Sequence, residues 1–294
     1  MKFYFFTKQF SMLFAVSALS LASASFASAE EADPYLMQPD TVYEIDLDGD
    51  GQMEHISYST RMNEPENAGC QAVFEFYVNS DLLWSVTEET QSYYWELNQF
   101  VLDDGQQYFL ASCITDNDYN LQTLLFTADS ASINIIADLT LLTRESEENP
   151  DALLSSWSRA SSVLDASDNT FTLQWCDAFM STGNTMIPVT YTISEGQVTL
   201  KEGSCPLDEE QTWTAWIDFD VQVSPEDTAH AFHVSPEETV QITELIRYNE
   251  HNYFKCINEN GEEGWFADPE SYVSSQSTDG TYLMGYFYEA FFAG

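Results

Sequence analysis

Short strand-like segments separated by polar turns fill most of the chain, and this pattern limits it to an antiparallel β fold. Residues 93–102 and 107–115 are rich in aromatic and apolar side chains and flank Asp103-Asp104-Gly105, a typical hairpin turn. Asn79-Ser80-Asp81 and Glu195-Gly196 separate two further pairs of such segments. The spacing predicts a mainly β chain, folded as an antiparallel meander or sandwich.

One short helix is expected among these strands. Residues 133–142 continue the strand series, and the acidic break at 145–150 ends it. Beyond that break, residues 151–157 have apolar side chains at helical spacing, namely Leu153, Leu154 and Trp157. This segment is predicted to form the helix between two groups of strands.

The most distinctive segment is residues 46–54, with the sequence Asp46-Leu47-Asp48-Gly49-Asp50-Gly51-Gln52-Met53-Glu54. Carboxylates stand at relative positions one, three, five and nine, and the glycine at position six permits a sharp bend. Calcium takes roughly six to eight oxygen ligands in flexible geometry, so a tight acidic loop suits it. The predicted calcium ligands are the side chains of Asp46, Asp48, Asp50 and Glu54 and the backbone carbonyl of Gln52.

The surroundings of this loop argue against an EF-hand. An EF-hand needs a bidentate carboxylate at position twelve, and Ser57 occupies that position here. The adjoining residues 42–45 and 55–58 are β-type, so we expect a strand-loop-strand unit.

The loop resembles the calcium loops of integrin-type (FG-GAP-like) and related bacterial surface repeats, whose pattern is D-x-D-x-D-G-x-x-D/E. The resemblance covers this loop alone and occurs once, so it implies a calcium site and at most a partial propeller-like domain. The alternative is an acidic turn without a metal ion. The segments most similar to this loop are Asp103-Asp104-Gly105 and Asp116-Asn117-Asp118. Both are predicted to be turns that bind no ion.

The N-terminus has the layout of a cleavable secretory signal. Lys2 and Lys8 precede the apolar run 12–21, and Ala27-Ser28-Ala29 supplies a small-residue cleavage site. The apolar run is shorter than the about 20 residues that a membrane span needs. We therefore expect a secreted or cell-surface protein without stable membrane insertion after cleavage, and an uncleaved anchor is the alternative.

The net charge limits the classes of partner that the mature chain can bind. The full sequence has 49 acidic and 8 basic residues, a formal charge of −41, and loss of residues 1–29 with their two lysines makes it −43. A charge of this size disfavours nucleic acid and anionic lipid as partners. Hydrophobic residues still make up 44% of the sequence, which is enough to form a core.

Five cysteines follow the signal segment: Cys70, Cys113, Cys176, Cys205 and Cys256. Secretion permits disulfides, but the odd count leaves at least one thiol outside any intrachain pair. Their spacing matches no zinc site. The sequence does not determine which of these cysteines form disulfides.

The C-terminal part carries a second signature. Strand-like residues 253–257 are followed by an Asn260-Gly261 turn and by Gly264-Trp265-Phe266. This order resembles the late hairpin of the bacterial SH3-like domain, which runs aromatic-x-K-V, a D/N-G turn and G-W-I/V. The resemblance implies a small SH3-like β-barrel with Tyr253, Phe254 and Trp265 as groove aromatics for a cell-wall peptide or glycan. The alternative is that Trp265 is simply part of the barrel core.

A local signal upstream competes with this interpretation. Residues 235–238, Ser-Pro-Glu-Glu, have the spacing of a helix capping box. Val240 and Ile242 nevertheless alternate with polar residues, and the downstream hairpin needs partner strands. We therefore expect a strand, not a helix, after residue 238.

The strand pattern is interrupted near residues 203–218, where Gly203, Pro206 and the acidic run 208–210 form a junction. The predicted organisation is a signal peptide at 1–29, a β-rich domain with the calcium loop at 30–210 and an SH3-like domain at 211–294.

The sequence contains no recognisable catalytic motif. A G-x-S-x-G elbow, an H-E-x-x-H helix and a glycine-rich phosphate loop are all missing. His230 and His233 have the spacing of one helix face but no third metal ligand nearby. His251 and Cys256 lack a group that would orient the imidazole. No catalytic residue is assigned.

The sequence thus predicts a secreted, non-catalytic, calcium-stabilised β protein that binds peptidoglycan or another extracellular ligand. One alternative is an extracellular hydrolase or accessory subunit with its active site in the central strands, which would have a deep polar pocket. Another is a periplasmic or surface assembly component that uses unpaired strand edges for partner contact.

Overall fold

The strand β7, Gln107–Thr115, lies at the centre of the molecule, and every residue in it except the first is buried. Its sequence, QYFLASCIT, presents side chains to two covered faces, which is the pattern of a strand packed on both sides. The computed structural model describes residues 33–63, 70–87, 92–115, 119–147, 149, 152–201, 203–207, 212–271, 273–276 and 282–290.

The first sheet has four antiparallel strands in the order β2-β3-β4-β5. The strands are β2 Tyr43–Ile45, β3 Glu54–Asn63, β4 Gln71–Val78 and β5 Asp81–Thr87. The turn predicted at Asn79-Ser80-Asp81 is confirmed, since it joins β4 directly to β5. Residues 46–53, which hold most of the acidic loop, connect β2 to β3.

The second sheet has the order β1-β6-β7-β8-β9. Its other strands are β1 Leu36–Met37, β6 Ser92–Val101, β8 Asn120–Ala128 and β9 Ile133–Asp138. The hairpin predicted around Asp103-Asp104-Gly105 is confirmed between β6 and β7, and Gly105 has the positive φ of 78° that the turn requires.

The helix is not where the sequence predicted it. Helix α1 spans Leu139–Thr143, directly after β9, and Asp138 caps it by accepting a hydrogen bond from the Thr140 N–H at 3.0 Å. The strand predicted over 133–142 therefore ends at Asp138. The helix predicted at 151–157 is wrong over its described residues, 152–157, which form turns and an isolated bridge.

The third sheet is a meander in the order β10-β11-β12-β13. Its strands are β10 Arg159–Ser167, β11 Thr170–Phe179, β12 Gly183–Ser194 and β13 Gln197–Leu200. The predicted Glu195-Gly196 turn is confirmed, because it joins β12 to β13.

The fourth sheet has seven strands, in the order β14-β18-β19-β20-β16-β17 with β15 paired to β18. They are β14 Cys205–Pro206, β15 Thr212–Thr214, β16 Phe219–Gln222, β17 His230–Val234, β18 Thr239–Tyr248, β19 His251–Asn258 and β20 Glu263–Ala267. A two-stranded ladder, β21 Ser274–Gln276 with β22 Tyr282–Met284, follows.

The strand predicted after residue 238 is confirmed as β18. The capping-box hydrogen bond also forms, because the Ser235 N–H donates to Glu238 Oε2 at 2.7 Å. It closes the turn between β17 and β18 and starts no helix. Pairing with β19 along most of β18 outweighs the local helix signal.

Two hydrophobic clusters cover the two faces of the second sheet. Phe109 of β7 belongs to the cluster shared with the first sheet, where its ring centroid lies 5.2 Å from that of Phe76. Leu110, the next residue, belongs to the other cluster, which includes strands of the third and fourth sheets. The alternation along β7 therefore ties the first two sheets to the rest of the fold.

The third and fourth sheets share one core. Phe100 of β6 packs against Phe171 of β11 at 5.0 Å, and Phe179 of β11 packs edge-on against Phe254 of β19 at 5.0 Å. The cluster thus contains residues on both sides of the predicted 210/211 boundary. That boundary stays a prediction, and its acidic run 208–210 lies outside the described residues, as do the predicted signal segment and the turn at 116–118.

The predicted fold class is confirmed at the level of a mainly β, antiparallel protein with very little helix. Within the described ranges, no sheet closes into a barrel and no set of blades forms a propeller. The same ranges contain no helix long and apolar enough to cross a membrane.

Candidate functional site

The acidic loop connects two paired strands, as the sequence predicted. In the β2–β3 ladder, Tyr43 pairs with Ile56 and Ile45 with Glu54, so the loop leaves and re-enters the sheet at adjacent positions. Gly49 and Gly51 have φ of 74° and 84°, a region that side chains disfavour. The two glycines let eight residues fold back over the end of the sheet.

Two contacts hold this loop in place. The side chain of Leu47 is 3% exposed and packs in the cluster between the first and second sheets. Its N–H donates to Glu54 Oε2 at 3.0 Å, which links the first half of the loop to the start of β3. An apolar residue between two aspartates therefore anchors an otherwise exposed acidic segment.

Asp46, Asp48 and Asp50 bring their carboxylates together on this anchor. One oxygen from each lies within 4.8 Å of the others, which is the arrangement of a group that can hold a metal ion. Asp48 Oδ1 accepts from the Asp50 N–H at 3.2 Å, and Asp50 Oδ1 accepts from the Gln52 N–H at 2.7 Å. These short-range bonds turn the chain so that alternate carboxylates converge.

One oxygen of the Asp46 carboxylate has no hydrogen-bond partner within the described ranges. Its Oδ2 accepts from the Gly51 N–H at 3.0 Å, but its Oδ1 is buried and has no hydrogen-bond partner among the described residues. Leaving a buried acceptor unsatisfied costs about 1–3 kcal/mol, and more when it is charged. A cation bound by the three carboxylates would supply the missing interaction.

Glu54 and Gln52, which were also predicted to supply ligand atoms, make other contacts within the loop. The Glu54 carboxylate lies outside the three-aspartate group, and its Oε2 is engaged by the Leu47 N–H. The Gln52 side chain donates through Nε2 to Asp50 Oδ2 at 2.8 Å. Both side chains brace the loop, and the group of converging carboxylates consists of Asp46, Asp48 and Asp50.

The three predicted groove aromatics divide between the faces of the fourth sheet. Phe254 is 0% exposed and packs with Phe266 at 5.5 Å, inside the shared core. Tyr253 and Trp265 are half-buried on the opposite face, because side chains alternate along β19 and β20. Lys255 pairs with Trp265 across the ladder and lies two residues from Tyr253 on the same strand face.

His230 and His233 lie on the strand β17. Both are close to Asp220 of β16, a residue that sequence spacing did not indicate. His233 Nδ1 lies 2.8 Å and His230 Nδ1 3.8 Å from Asp220 Oδ1, across the β16–β17 ladder. This hydrogen bond raises the pKa of His233 and lowers that of Asp220. No local signal marks Asp220, since only strand pairing brings it to the histidines.

Burial sets the chemistry of Cys256. It points into the core of the fourth sheet, and desolvation raises the pKa of its thiol to about 12. A nucleophilic cysteine works as the thiolate, so this thiol is protonated and unreactive at neutral pH. His251 lies at the exposed start of the same strand.

The chain was compared with protein-family models, with curated proteins and with solved structures. Nothing matches. The functional argument therefore rests on the residues themselves: an exposed group of three aspartates that can hold a metal ion, set at the edge of a protein built from antiparallel sheets.

Proposed function

We propose that the mature chain is a secreted, non-catalytic β protein that binds calcium at residues 46–54 and contacts cell-wall or other extracellular material through an SH3-like C-terminal part. The observation that carries the proposal is that the buried Asp46 Oδ1, within a group of three carboxylates, has no hydrogen-bond partner in the described part of the chain.

Calcium fits this donor set better than other common ions. The donors are all carboxylate oxygens, which favour hard cations over zinc or copper. Magnesium demands near-ideal octahedral geometry, whereas calcium accepts irregular loops with more ligands. In this proposal the Gln52 carbonyl and the Glu54 carboxylate complete the set that Asp46, Asp48 and Asp50 begin.

The ion would act on stability and not on chemistry. It would neutralise converging carboxylates and so hold Leu47 in its core position at the β2–β3 connection. When a ligand binds only the folded state and its free concentration is a hundred times Kd, it adds about 2.7 kcal/mol to the free energy of unfolding. The proposed role is therefore a calcium-dependent clamp on the first sheet.

Thermal unfolding tests this role. We expect calcium to raise the melting temperature of the mature protein above its value in chelator, and Asp48→Asn with Asp50→Asn to remove that increment. Asparagine still accepts the N–H bonds from Asp50 and Gln52, so the turn is kept while two charges are lost.

The control is Asp103→Asn with Asp104→Asn, which removes two charges from another aspartate-rich turn and should leave the calcium increment intact. An equal melting temperature with and without calcium in the unsubstituted protein would count against the clamp.

The C-terminal part of the proposal rests on two half-buried aromatic residues that share one face of the fourth sheet. Tyr253 and Trp265 share one face of the β19–β20 ladder. Lys255 on the same face is held by Glu244 and Glu263, each at 3.1 Å. Aromatic rings that are partly exposed and rigidly backed are suited to contact a partner. Phe254 is assigned a packing role, because its ring is fully buried.

Retention on cell-wall sacculi tests this part with the full mature chain at low and high salt. We expect the protein to be retained at both, and Trp265→Ala to abolish retention. Trp157→Ala is the matched control, since Trp157 is a 68% exposed tryptophan elsewhere on the molecule. Equal retention of the two variants, or no retention of the parent, would refute wall binding through this face.

A further inference from the structure

A cavity of about 320 Å³ lies where the third sheet, the fourth sheet and helix α1 meet. Its apolar wall combines Leu142 of α1, Val189 and Leu200 of the third sheet and Ile246 of the fourth. The volume falls within the range of about 300–1,000 Å³ seen for small-molecule sites, which often form where separate units of a fold meet. The position and lining suit the apolar body of a small ligand.

The charge of this lining is opposite to the charge of the protein. Of the fifteen lining residues within the described ranges, two are basic, Lys201 and Arg247, and none is acidic. The whole chain has 49 acidic residues and only 8 basic ones. Burial also raises the pKa of the Cys205 thiol in the wall to about 11, so it adds no negative charge. The charged side chains in the described lining are therefore both cations, whereas the chain as a whole is strongly anionic.

The Lys201 ammonium has no partner among the residues that the structure describes. The other five basic side chains of the described residues all bind protein oxygens: Arg61, Arg144, Arg159, Arg247 and Lys255. Within the described ranges, no hydrogen bond or ion pair involves Lys201 Nζ, although acids outnumber bases sixfold in the sequence. Its exposed ammonium at the rim of the cavity is available to a ligand.

Arg247 is a second, less exposed cation in the same wall. Its side chain is 13% exposed, and its Nη2 lies 3.5 Å from the half-exposed Glu145, which does not line the cavity. A guanidinium in this position adds positive potential from a partly desolvated site, where charge interactions are stronger than in water.

We propose that this cavity binds a small organic carboxylate, with its apolar body between Leu142, Val189 and Ile246 and its head at Lys201. The apolar wall supplies affinity in proportion to the area it removes from water. The two cations favour a negatively charged head group, although the net charge of the molecule is itself negative. The site is separate from the acidic loop and goes beyond the proposed calcium role.

Calorimetric titration of the mature protein with octanoate, octylammonium and acetate tests this proposal. Octanoate should bind saturably with one equivalent per chain. Acetate, which lacks the apolar body, and octylammonium, which reverses the head charge, should each bind at least about tenfold more weakly at this site. General attraction to an anionic protein predicts the opposite order for the two eight-carbon ligands, so the comparison is decisive.

Two charge-matched variants locate the site. Lys201→Gln should weaken octanoate binding about tenfold, because one charge-assisted contact is lost. Arg61→Gln removes the same charge from an exposed pair with Glu75 in the first sheet and should leave binding unchanged. The proposal is overturned if octanoate does not saturate, if octylammonium displaces it with equal affinity, or if the two variants weaken binding equally.

Discussion

A hydroxyl in the core shows how individual residues stabilise the fold. Tyr191 is 0% exposed, and its hydroxyl accepts a hydrogen bond from Trp175 Nε1 at 2.9 Å and lies 2.6 Å from Thr143 Oγ1. Burial raises the pKa of this phenol. The three polar groups satisfy one another inside an otherwise apolar cluster, where an unpaired group is costly.

Tyr191→Phe should therefore lower the free energy of unfolding by about 1–3 kcal/mol, because it leaves the Trp175 N–H and the Thr143 hydroxyl without their partner. Urea unfolding measures this change. The control is Tyr288→Phe, where an exposed hydroxyl donates to Glu237 at 2.7 Å. We expect the control to stay within about 0.5 kcal/mol of the parent. Equal losses in both variants would contradict a special role for the buried group.

Residue patterns predicted the acidic loop because all its determinants are local. The converging aspartates and both glycines lie within nine consecutive residues, so spacing alone indicated their meeting. Leu47 is buried in the cluster that the first and second sheets share, and Asp46 Oδ1 has no partner among the described residues; no local pattern shows either fact.

At the level of elements, the approach of β16 to β20 depends on one glycine. A Cβ at Gly264 would lie 2.5 Å from Val221 Cγ1 and 2.7 Å from the Gln222 carbonyl oxygen. Such contacts are too short, and the second involves backbone, which cannot rotate away. Gly264 thus permits the pairing of Gln222 with Trp265, the link between the two halves of the fourth sheet.

Gly264→Ala should destabilise the protein by about 1–3 kcal/mol, since the added methyl group forces these two strands apart. Denaturant unfolding, followed by tryptophan fluorescence, measures the change. Ala267→Ser, at an exposed position of the same strand, serves as control and should have little effect. A Gly264→Ala variant as stable as this control would show that the strands can part without penalty.

Strand pairs were predictable where a short turn joins two neighbouring strands. Elements whose position depends on packing against distant segments were not predictable. The hairpins at Asp103-Asp104-Gly105 and Asn260-Gly261 follow from local turn chemistry and are confirmed. The helix was placed wrongly because helical spacing at 151–157 ignores the packing of that segment, whereas Asp138 provides the real cap. The need for glycine at 264 depends on Val221, which lies on another strand.

At the scale of the whole molecule, self-repulsion opposes the compact state. The formal charge of the full sequence is −41, and most acids of the described residues lie on the surface. Screening shortens the Debye length from about 30 Å at 0.01 M salt to about 8 Å at 0.15 M. Repulsion between distant carboxylates is therefore strong only at low salt.

In chelator, the melting temperature should rise as sodium chloride increases over this range. Differential scanning calorimetry measures the rise. Tetramethylammonium chloride should produce a similar rise, because screening does not require a specific cation. A melting temperature that is constant or falls with salt would contradict the repulsion account.

The cavity at Lys201 illustrates why part of the candidate function could not be predicted. Its wall joins α1, two strands of the third sheet and two of the fourth, and its lining runs from Leu142 to Arg247, more than a hundred residues along the chain. Strand spacing predicts each segment separately, but it does not give the packing of one sheet against another.

The central claim, that residues 46–54 form a calcium site, is tested most directly by titrating calcium into the chelator-treated mature protein in a calorimeter. One calcium ion should bind per chain with a measurable heat, and Asp48→Asn with Asp50→Asn should abolish that binding while the far-ultraviolet spectrum stays unchanged. No saturable binding to the parent, or the same stoichiometry and affinity in the variant, would contradict the claim.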